Sequence, residues 1–407
     1  MRKIAIIGGG AAGMMAAITA AGAGGTVTVY EHKDRVGKKL LSTGNGKCNL
    51  TNLSVSQDDY RGDHPAFVLP VLDAFPVADT LSFFEQLGLF WKEKNGYVYP
   101  ASNQASTVLD LLRNRMEQMH ICVITDCGQI RLRAIRGKKQ EGFLIACQKG
   151  EAQYDRVIIA TGSKAAPVTG SDGSGYALAK QFGHRIIPVL PALTSLKGRE
   201  DFYKSIAGVR VDADIALYIE DRLCMREMGE LQLTATGPSG IPVFQLSRFA
   251  IQALDQHKNV RLCCDFLPRI TEDELTASVL ARRESNLTAG QALTGIVNKK
   301  LLVLLLKLSQ IAEAKPMRAV SEQKLQLFCH KVKCFEMQIG GYGSFEQAQV
   351  CQGGVDVAEL TDDLESRQQK GLYFAGEILD VDGICGGYNL QWAWSSGHMA
   401  GKAAAEK

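Results

Sequence analysis

The chain has 407 residues, of which 46% are hydrophobic, and its 46 basic and 43 acidic residues give a formal net charge of +3. A chain of this length and composition is expected to be globular, with two or three domains and large buried cores. The charge balance gives no indication of a nucleic-acid partner, and no apolar run approaches the roughly 20 residues that a membrane span requires.

The N-terminal residues lead directly into a predicted strand. They lack the basic, apolar and small-residue segments of a signal peptide, so we expect a cytoplasmic protein. The 11 cysteines lack the paired short spacings of a zinc site or a thioredoxin-like motif. We therefore expect reduced thiols and no metal site. The oligomeric state is left open by the sequence.

The first segment alternates between strand and helix patterns. An apolar strand at 4–7 is followed by a glycine turn, an alanine-rich helix at 11–23 and a β-branched strand at 26–30, which is typical of a βαβ unit. Further strands at 156–160 and 371–374 end at Thr161-Gly162 and at Ala375-Gly376. These patterns predict an α/β fold with a parallel sheet, whose ligands bind at the carboxyl ends of the strands.

The turn after the first strand carries a dinucleotide-binding fingerprint. Gly8 permits the tight turn, Gly10 lets the backbone approach a pyrophosphate, and Gly13 allows close helix packing. The helix that begins at Ala11-Ala12 offers its N-terminal amides to phosphate groups. Glu31 lies at the end of the second strand, where a carboxylate accepts hydrogen bonds from adenosine ribose hydroxyls. The fingerprint itself does not separate NAD from FAD.

A second polar cluster follows the ribose position, in the segment 35–49. Its lysines, amides and glycines include Lys38, Lys39, Asn45, Gly46 and Asn49. Such a cluster can follow the rest of an extended cofactor through backbone and amide contacts, whereas in isolation it would be read as a surface turn with solvated lysines. Nucleotide-handling segments at both ends of the chain favour one long dinucleotide, FAD.

The pattern of apolar and polar residues changes between about 190 and 350. Residues 209–219 alternate between apolar and polar, which favours antiparallel strands with one wet face. From about 268 the pattern becomes helical, with capping-box spacings at Thr271 to Glu274 and at Thr288 to Gln291. No internal repeat or linker appears, so these insertions are predicted to be packed lobes.

Three long segments resemble the BaiN/YhiN-type flavoprotein family. Residues 37–52 read GKKLLSTGNGKCNLTN, residues 376–383 read GEILDVDG, and residues 386–397 read GGYNLQWAWSSG. The similarity runs essentially end to end. One motif departs from it: where relatives carry Thr-His-x-Gly, this chain has Thr234-Ala235-Thr236-Gly237, so no histidine acid is expected there.

The resemblance implies a fold and a cofactor. The expected fold has a Rossmann-like FAD-binding domain (1–190 and 350–407), a β-barrel-like insertion (191–255 and 335–349) and a small helical insertion (256–334). It also implies that the final helix directs its N-terminus at the isoalloxazine ring, where negative charge develops on reduction. The predicted FAD-binding residues are Gly8, Gly10, Ala11, Ala12, Gly13, Glu31, His32, Lys38, Lys39, Asn45, Gly46, Asn49, Thr161, Gly162, Gly376, Glu377, Asp382, Gly387, Tyr388, Asn389 and Leu390.

Catalytic residues are not assigned by the sequence. Cys48 and Cys385 invite a redox-dithiol interpretation, but flavin disulfide reductases hold such a pair a few residues apart, so small buried thiols are favoured. The glycines at 170–175 are interpreted as a turn of the flavin domain rather than an NADPH cradle. Four tyrosines, Tyr97, Tyr99, Tyr342 and Tyr388, are equally plausible as proton donors and as partly buried structural residues.

The leading functional hypothesis is an FAD-dependent oxidoreductase. The flavin would take hydride from NAD(P)H, a transient donor, and pass it to the activated double bond of a small apolar substrate. The family resemblance implies a steroid enone, as in oxo-bile-acid intermediates. Two alternatives stay open: a flavin oxidase acting on a small amine or ketone, and a non-catalytic flavin-binding sensor.

Overall fold

The structure is a computed structural model that describes residues 1–136 and 141–406. The chain forms two compact units, one combining Met1–Leu190 with Gln349–Lys407 and the other formed by Pro191–Ala348. The first unit is thus built from both ends of the chain. The ranges predicted as two separate insertions fall, apart from Gln349, within the second unit.

The described residues contain the following regular elements. The strands are β1 (Lys3–Ile7), β2 (Thr26–Tyr30), β3 (Thr51–Asn52), β4 (Tyr60–Arg61), β5 (Trp91–Lys94), β6 (Tyr97–Pro100), β7 (Cys122–Ile124), β8 (Arg131–Arg136), β9 (Glu141–Cys147), β10 (Gly150–Tyr154), β11 (Arg156–Ile159), β12 (Ile186–Ala192), β13 (Leu196–Gly198), β14 (Arg210–Ile219), β15 (Arg222–Leu233), β16 (Pro238–Ser239), β17 (Val260–Asp265), β18 (Phe335–Tyr342), β19 (Val350–Val355), β20 (Leu372–Phe374) and β21 (Asp382–Gly383). The helices are α1 (Ala11–Gly22), α2 (Val68–Ala74), α3 (Val77–Gln86), α4 (Ala105–Gln118), α5 (Ser174–Gln181), α6 (Tyr203–Ile206), α7 (Ile241–Asp255), α8 (Glu272–Ala281), α9 (Ala289–Leu293), α10 (Lys299–Leu308), α11 (Glu322–Lys333) and α12 (Tyr388–Glu406).

A five-stranded parallel sheet in the order β20-β11-β1-β2-β7 forms the centre of the first unit. Residues 4–7 of β1 and 157–159 of β11, in the middle of the sheet, are apolar and buried, because a strand covered on both faces needs apolar side chains. Parallel strands end at the same edge of the sheet, so the turns after β1, β2, β11 and β20 converge there. The predicted Rossmann-like α/β class is confirmed.

Helix α12 is held against α1 by two of its glycines. A methyl group on Gly397 would lie 2.5 Å from the Ala12 carbonyl oxygen, and one on Gly401 would lie 2.5 Å from the Ala16 carbonyl oxygen. Only glycine permits so close a crossing of two helix backbones. The crossing fixes the last helix of the chain over the first, and so places the start of α12 beside the sheet edge.

Smaller antiparallel sheets surround this core. β10, β9 and β8 form a three-stranded meander, and β3, β6 and β5 form a second antiparallel sheet with β6 in the middle. β4 pairs with β21, so a strand from the first quarter of the chain is bonded to one next to α12.

The second unit contains a six-stranded antiparallel sheet in the order β13-β18-β17-β14-β15-β16. Its edge strands approach each other, because the Gly198 amide donates to the Thr236 carbonyl oxygen at 3.0 Å. The sheet is therefore nearly closed, as the predicted β-barrel-like insertion requires. Helices α8 to α11 follow in the chain, with the predicted capping boxes at Thr271 and Thr288.

Two sequence-based expectations for the second unit need correction. The range predicted as helical starts at 256, but β17 lies inside it and pairs with both β14 and β18, because its alternating side chains complete the sheet. Cys263 and Cys334 form a disulfide, against the expectation of reduced thiols, because the fold brings residues 71 positions apart to a Cα–Cα distance of 5.3 Å.

Among the described residues, no single helix is long and apolar enough to cross a bilayer. One bent pair, Pro65–Ala74 with Val77–Gln86, meets the criteria of length and composition when its two helices are taken together.

Candidate cofactor and active site

The turn after β1 leaves room for a ligand against the backbone. Gly8 has a φ of +105°, and a methyl group on Gly13 would lie 1.9 Å from the Gly8 carbonyl oxygen, so both positions require glycine. A methyl group on Gly10 would meet no protein atom within 4 Å. Gly10 precedes α1 without a side-chain cap, which leaves the first amides of the helix for an anionic ligand.

Glu31 is fixed at the end of β2 by two backbone amides. Its Oε2 accepts from the Gly9 amide and its Oε1 from the Lys33 amide, each at 2.9 Å. The residue is 8% exposed. A carboxylate can accept further hydrogen bonds on its remaining lone pairs, so Glu31 can hold ribose hydroxyls as the fingerprint predicts.

His32 lies between two carboxylates. Its Nδ1 is 3.3 Å from Glu31 Oε1, and its Nε2 is 3.9 Å from Asp172 Oδ2. A methyl group on Gly170 would lie 3.3 Å from the His32 ring. The 170–175 turn therefore packs on the residues that follow β2, which supports its interpretation as part of the flavin domain.

An ion pair connects the two ends of the chain. Lys39 Nζ donates to Glu377 Oε2 at 2.6 Å. The other carboxylate oxygen of Glu377 accepts from Ser163 Oγ at 2.7 Å and from the Cys351 amide at 3.1 Å. Four segments that are distant in sequence are thus tied together through a single carboxylate.

The start of α12 is attached to the 49–52 segment. Thr51 Oγ1 donates to Gln391 Oε1 at 2.6 Å, and Asn52 Nδ2 donates to the Gly386 carbonyl oxygen at 3.1 Å. A methyl group on Gly387 would lie 2.5 Å from the Thr51 backbone, so the two segments are in direct contact. The conformation of the helix start is thereby fixed by residues from the other end of the chain.

Asn389 closes the turn before α12. Its Nδ2 donates to the Gly383 carbonyl oxygen and its Oδ1 accepts from the Gly383 amide, both at 2.8 Å. With its amide turned so that nitrogen faces the acceptors, Asn49 donates to the Thr51 carbonyl oxygen at 3.1 Å and accepts from the Gly387 amide at 3.3 Å. Both asparagines thus order the backbone of the site.

A cavity of about 910 Å³ lies along the carboxyl edge of the parallel sheet. This volume falls in the upper part of the roughly 300–1,000 Å³ range of small-molecule and cofactor sites. The predicted residues that line the cavity are Gly8, Gly10, Ala11, Ala12, Glu31, His32, Lys38, Lys39, Thr161, Gly162, Glu377, Asn389 and Leu390.

The remaining predicted residues do not line the cavity. Gly13, Gly376, Gly387 and Asn49 support its backbone, and Tyr388 and Asp382 are buried beside it. Asn45 and Gly46 are exposed, because the chain takes left-handed turns there, with φ of 55° and 82°, that direct both residues to solvent.

Sequence reasoning missed one wall of the cavity. The segment 128–133 lines it, as do Gln349 and Val350. The sequence feature that could have revealed this wall is the short apolar segment of β7, which ends shortly before Gly128. In the structure β7 is the fifth parallel strand, next to β2. A residue that follows a parallel strand is placed at the ligand edge of the sheet, as happens here.

Two cysteines near this site, Cys48 and Cys351, are poor nucleophiles. Cys48 is fully buried, and burial raises the pKa of its thiol to about 12. Burial and the nearby Glu377 carboxylate raise the pKa of Cys351 to about 11. A reactive thiol needs a lowered pKa, so these side chains fit the expected role of buried small residues.

The residues present fit FAD. The open space over Gly10, the uncapped amides of α1 and the ordered Glu31 carboxylate match the demands of a pyrophosphate and an adenosine ribose. Leu390 and Trp392 of α12 provide an apolar wall on the same cavity. When bound, the flavin would supply hydride transfer, which no side chain can perform.

Comparison with known proteins places the chain in a family. The sequence model of the family described as "HI0933-like protein Rossmann domain" matches residues 2–403 of this chain. The chain belongs to the HI0933-like family. A family match over this length confirms the predicted resemblance to BaiN/YhiN-type flavoproteins.

Three known proteins illustrate the range of this HI0933-like chain's similarities. The 3-dehydro-bile acid delta(4,6)-reductase of Clostridium scindens is 43% identical, over 100% of both chains. The ribosomal RNA dihydrouridine synthase of Escherichia coli is 30% identical, over 96% of this chain and 95% of the relative. The open conformation of a flavocytochrome c3 fumarate reductase aligns at 14% identity with a TM-score of 0.49, covering 100% of this chain and 78% of that one.

The HI0933-like chain is an FAD-dependent oxidoreductase, as predicted. This class follows from the family match over nearly the whole chain and from the full-length similarity to a reductase. The fold and the cavity agree with it, since residues from both ends of the chain line one cavity.

Proposed function

We propose that the protein is a reductase that transfers hydride from NAD(P)H, through FAD, to a carbon–carbon double bond conjugated with a ketone. The substrate class that we propose is a flat, apolar steroid enone of the 3-oxo-Δ4/Δ6 bile-acid type. The observation that carries the proposal is the 43% identity, over the full length of both chains, with 3-dehydro-bile acid delta(4,6)-reductase.

The residues of the cavity have distinct parts in this proposal. The amides at the start of α1 bind the pyrophosphate, and Glu31 holds the adenosine ribose. The N-terminus of α12 stabilises the negative charge that develops on the ring system, because the first amides of a helix carry partial positive charge. Lys39, oriented by Glu377, adds a positive charge on the cavity wall.

The nicotinamide donor is proposed to bind transiently. Within the described residues, the five-stranded sheet provides the single Rossmann-like domain, and its glycine turn is taken by FAD. A donor without a Rossmann domain of its own must meet the flavin at the face that the acceptor later uses. This arrangement predicts that donor and acceptor bind alternately, with ping-pong kinetics.

Anaerobic half-reactions test the proposal. The flavin absorbance of the purified yellow protein should bleach with NADH or NADPH. A 3-oxo-4,6-diene bile acid should then restore it and lose one of its two carbon–carbon double bonds, because one reduced flavin delivers one hydride. A saturated 3-oxo bile acid, which lacks the conjugated double bond, is the matched control. The proposal fails if neither donor bleaches the flavin, or if the control restores the absorbance as fast as the diene.

A second candidate is reduction of uridine in ribosomal RNA, favoured by the 30% identity with the dihydrouridine synthase. Forming dihydrouridine also reduces a double bond conjugated with a carbonyl group, so the same cofactor chemistry would serve. We rank it second because the identity is lower. Reoxidation of the reduced protein by unmodified ribosomal RNA, with dihydrouridine detected by mass spectrometry, would reverse this ranking.

The two remaining alternatives have simple tests. A flavin oxidase would release peroxide when mixed with small amines or ketones in air. A non-catalytic sensor would show no turnover with any organic acceptor. Under our proposal, peroxide release stays at the background of free flavin, and the steroid enone is turned over.

A further inference from the structure

Two of the four candidate tyrosines lie together in the structure. A methyl group on Gly386 would lie 2.5 Å from Tyr97 Cε1 and 3.1 Å from Tyr388 Cε2. The two rings therefore flank one glycine, immediately before α12. Tyr342 is on β18 in the second unit.

The elements that carry these two rings are rigidly connected. Tyr97 is on β6, where it pairs with Asn52 of β3. Asn52 in turn donates to the Gly386 carbonyl oxygen at 3.1 Å. Tyr388 is the first residue of α12, and its carbonyl oxygen accepts from Tyr60 Oη at 3.0 Å. A site that has to bind a reacting atom needs this kind of support.

The hydroxyl groups of the pair are accessible from outside the protein. In the described part of the chain, neither the Tyr97 nor the Tyr388 hydroxyl makes a hydrogen bond, and neither is among the buried polar atoms that lack one. Tyr388 is nevertheless only 8% exposed, with its ring packed edge-on against Tyr60 at 6.3 Å. Each hydroxyl is therefore at an accessible position, where it can donate a hydrogen bond to a bound molecule while packing holds the Tyr388 ring.

The pair adjoins the cavity at the wall formed by α12. Asn389 and Leu390, the two residues after Tyr388, line the cavity. Neither tyrosine lines the cavity itself, so we place the molecule that contacts the two hydroxyls beside the cavity, at the glycine turn. In the proposed reaction, this molecule is the enone.

We propose that the hydroxyls of Tyr97 and Tyr388 bind the carbonyl oxygen of the substrate enone and supply the proton that completes its reduction. This inference rests on the proposed function. It assigns the acid that the sequence left open among four tyrosines.

The chemistry of the step is balanced. A hydride, supplied by the reduced flavin, forms a new C–H bond at the far carbon of the conjugated double bond. The electron pair of that double bond moves toward the carbonyl group and leaves negative charge on its oxygen. A tyrosine O–H bond breaks, its proton forms the enol O–H, and the enol tautomerises to the saturated ketone. The tyrosinate regains a proton from water. Hydroxyl donors aimed at a developing oxyanion lower the barrier to this step.

Replacement of either tyrosine by phenylalanine tests the proposal, because the ring and its packing are kept. Tyr97→Phe and Tyr388→Phe are expected to slow reoxidation of the reduced protein by the enone by about 10²–10⁴-fold, the usual contribution of a general acid. Reduction of the flavin by NAD(P)H and the bound flavin content are expected to stay unchanged. Tyr99→Phe, two residues along β6, is the matched control and should reoxidise within about twofold of the wild-type rate.

A measurement without turnover gives a second readout. The oxidised protein is mixed with an enone carrying a ¹³C-labelled carbonyl group, and the carbonyl stretching frequency is followed by infrared difference spectroscopy. The wild type and Tyr99→Phe should lower this frequency through hydrogen bonding, and each of the two phenylalanine variants should reverse part of the shift. An unchanged frequency in both variants would overturn the proposal.

The outcomes separate this inference from the proposed function. If the wild type reduces no enone, the proposed function fails. If the wild type reduces the enone and both Tyr97→Phe and Tyr388→Phe do so at the wild-type rate, the tyrosine assignment fails and the proposed function stands. Equal slowing in Tyr99→Phe would also overturn the assignment, because the effect would then be structural.

Discussion

The carboxylate of Glu31 accepts a hydrogen bond from the backbone amide of Gly9, with 2.9 Å between Oε2 and N. The two halves of the dinucleotide fingerprint, the glycine turn after β1 and the acidic residue after β2, therefore position each other. The Lys33 amide holds the other carboxylate oxygen at the same distance.

Glu31→Gln should therefore weaken both the site and the fold. An amide side chain has one acceptor oxygen, so one of the two backbone amides would face an N–H₂ group, at a cost of about 1–3 kcal/mol. We expect the free energy of unfolding of the apoprotein to fall by that amount in urea titrations. The dissociation constant for FAD, from flavin fluorescence, should rise at least about tenfold. Glu230→Gln, on the second unit, removes the same charge from an exposed residue and should change neither value.

Gly10→Ala should lower FAD affinity without changing the stability of the apoprotein, whereas Gly13→Ala should lower that stability. An alanine methyl group at Gly10 meets no protein atom and the φ there is −78°, so the thermal unfolding temperature of the apoprotein should be unchanged while FAD affinity falls. At Gly13 the methyl group would overlap the Gly8 carbonyl oxygen, so the apoprotein itself should be destabilised, by about 1–3 kcal/mol or more. If Gly10→Ala bound FAD like the wild type, the pyrophosphate would not pass over this turn.

Lys39 and Glu377 should show energetic coupling. Lys39→Met leaves the Glu377 carboxylate without its positive partner, and Glu377→Gln leaves the ammonium group without its negative one. Both side chains are partly exposed, so water weakens the interaction, and we expect a coupling of about 1–2 kcal/mol in a double-mutant cycle on apoprotein unfolding. Lys38 pairs with the exposed Asp34, and the same cycle on that pair should give about 0.5 kcal/mol or less. Equal coupling energies in the two cycles would contradict the expectation that the Lys39–Glu377 pair is stronger than the more exposed Lys38–Asp34 pair.

Tyr388 should remain protonated across the working pH range. Burial raises the pKa of its hydroxyl from 10.0 to about 12, so the proton needed for the proposed step is present well above neutral pH. The rate of enone-dependent reoxidation should therefore be flat up to about pH 10 in stopped-flow measurements. The contribution of this raised pKa to the free energy of unfolding is complete below pH 10.0. It is lost as the pH rises toward 12, because Tyr388 ionises first in the unfolded chain. A decline in the reoxidation rate centred near pH 7 would point to a different acid.

The thiols should differ in reactivity according to burial. Cys48 and Cys351 are buried, with pKa values raised to about 12 and 11, so iodoacetamide at pH 8 should leave both unmodified in the folded protein. Cys122 is exposed and should be alkylated under the same conditions. Peptide mapping by mass spectrometry gives the extent of modification at each site. Fast alkylation of Cys48 would restore the redox-dithiol interpretation.

The adenosine half of the site was predictable because its signal is local. Gly8, Gly10 and Gly13 lie within six positions, and Glu31 follows at the end of the next strand, so a single βαβ unit specifies their geometry. The wall at 128–133 was not predictable in the same way. The position of this segment depends on the pairing of β7 with β2. A short apolar strand does not show in its own sequence which strand it will pair with.

The sequence by itself determined the α/β class, the dinucleotide turn and the family, because periodicity, glycine placement and motif spacing are properties of neighbouring residues. Only the tertiary structure decided that Asn45 and Gly46 point to solvent, that Cys263 pairs with Cys334, and that Tyr97 and Tyr388 meet at Gly386. Each of these relationships depends on left-handed turns or on contacts between residues tens to hundreds of positions apart. Such contacts are set by the packing of whole elements, which no short stretch of sequence encodes.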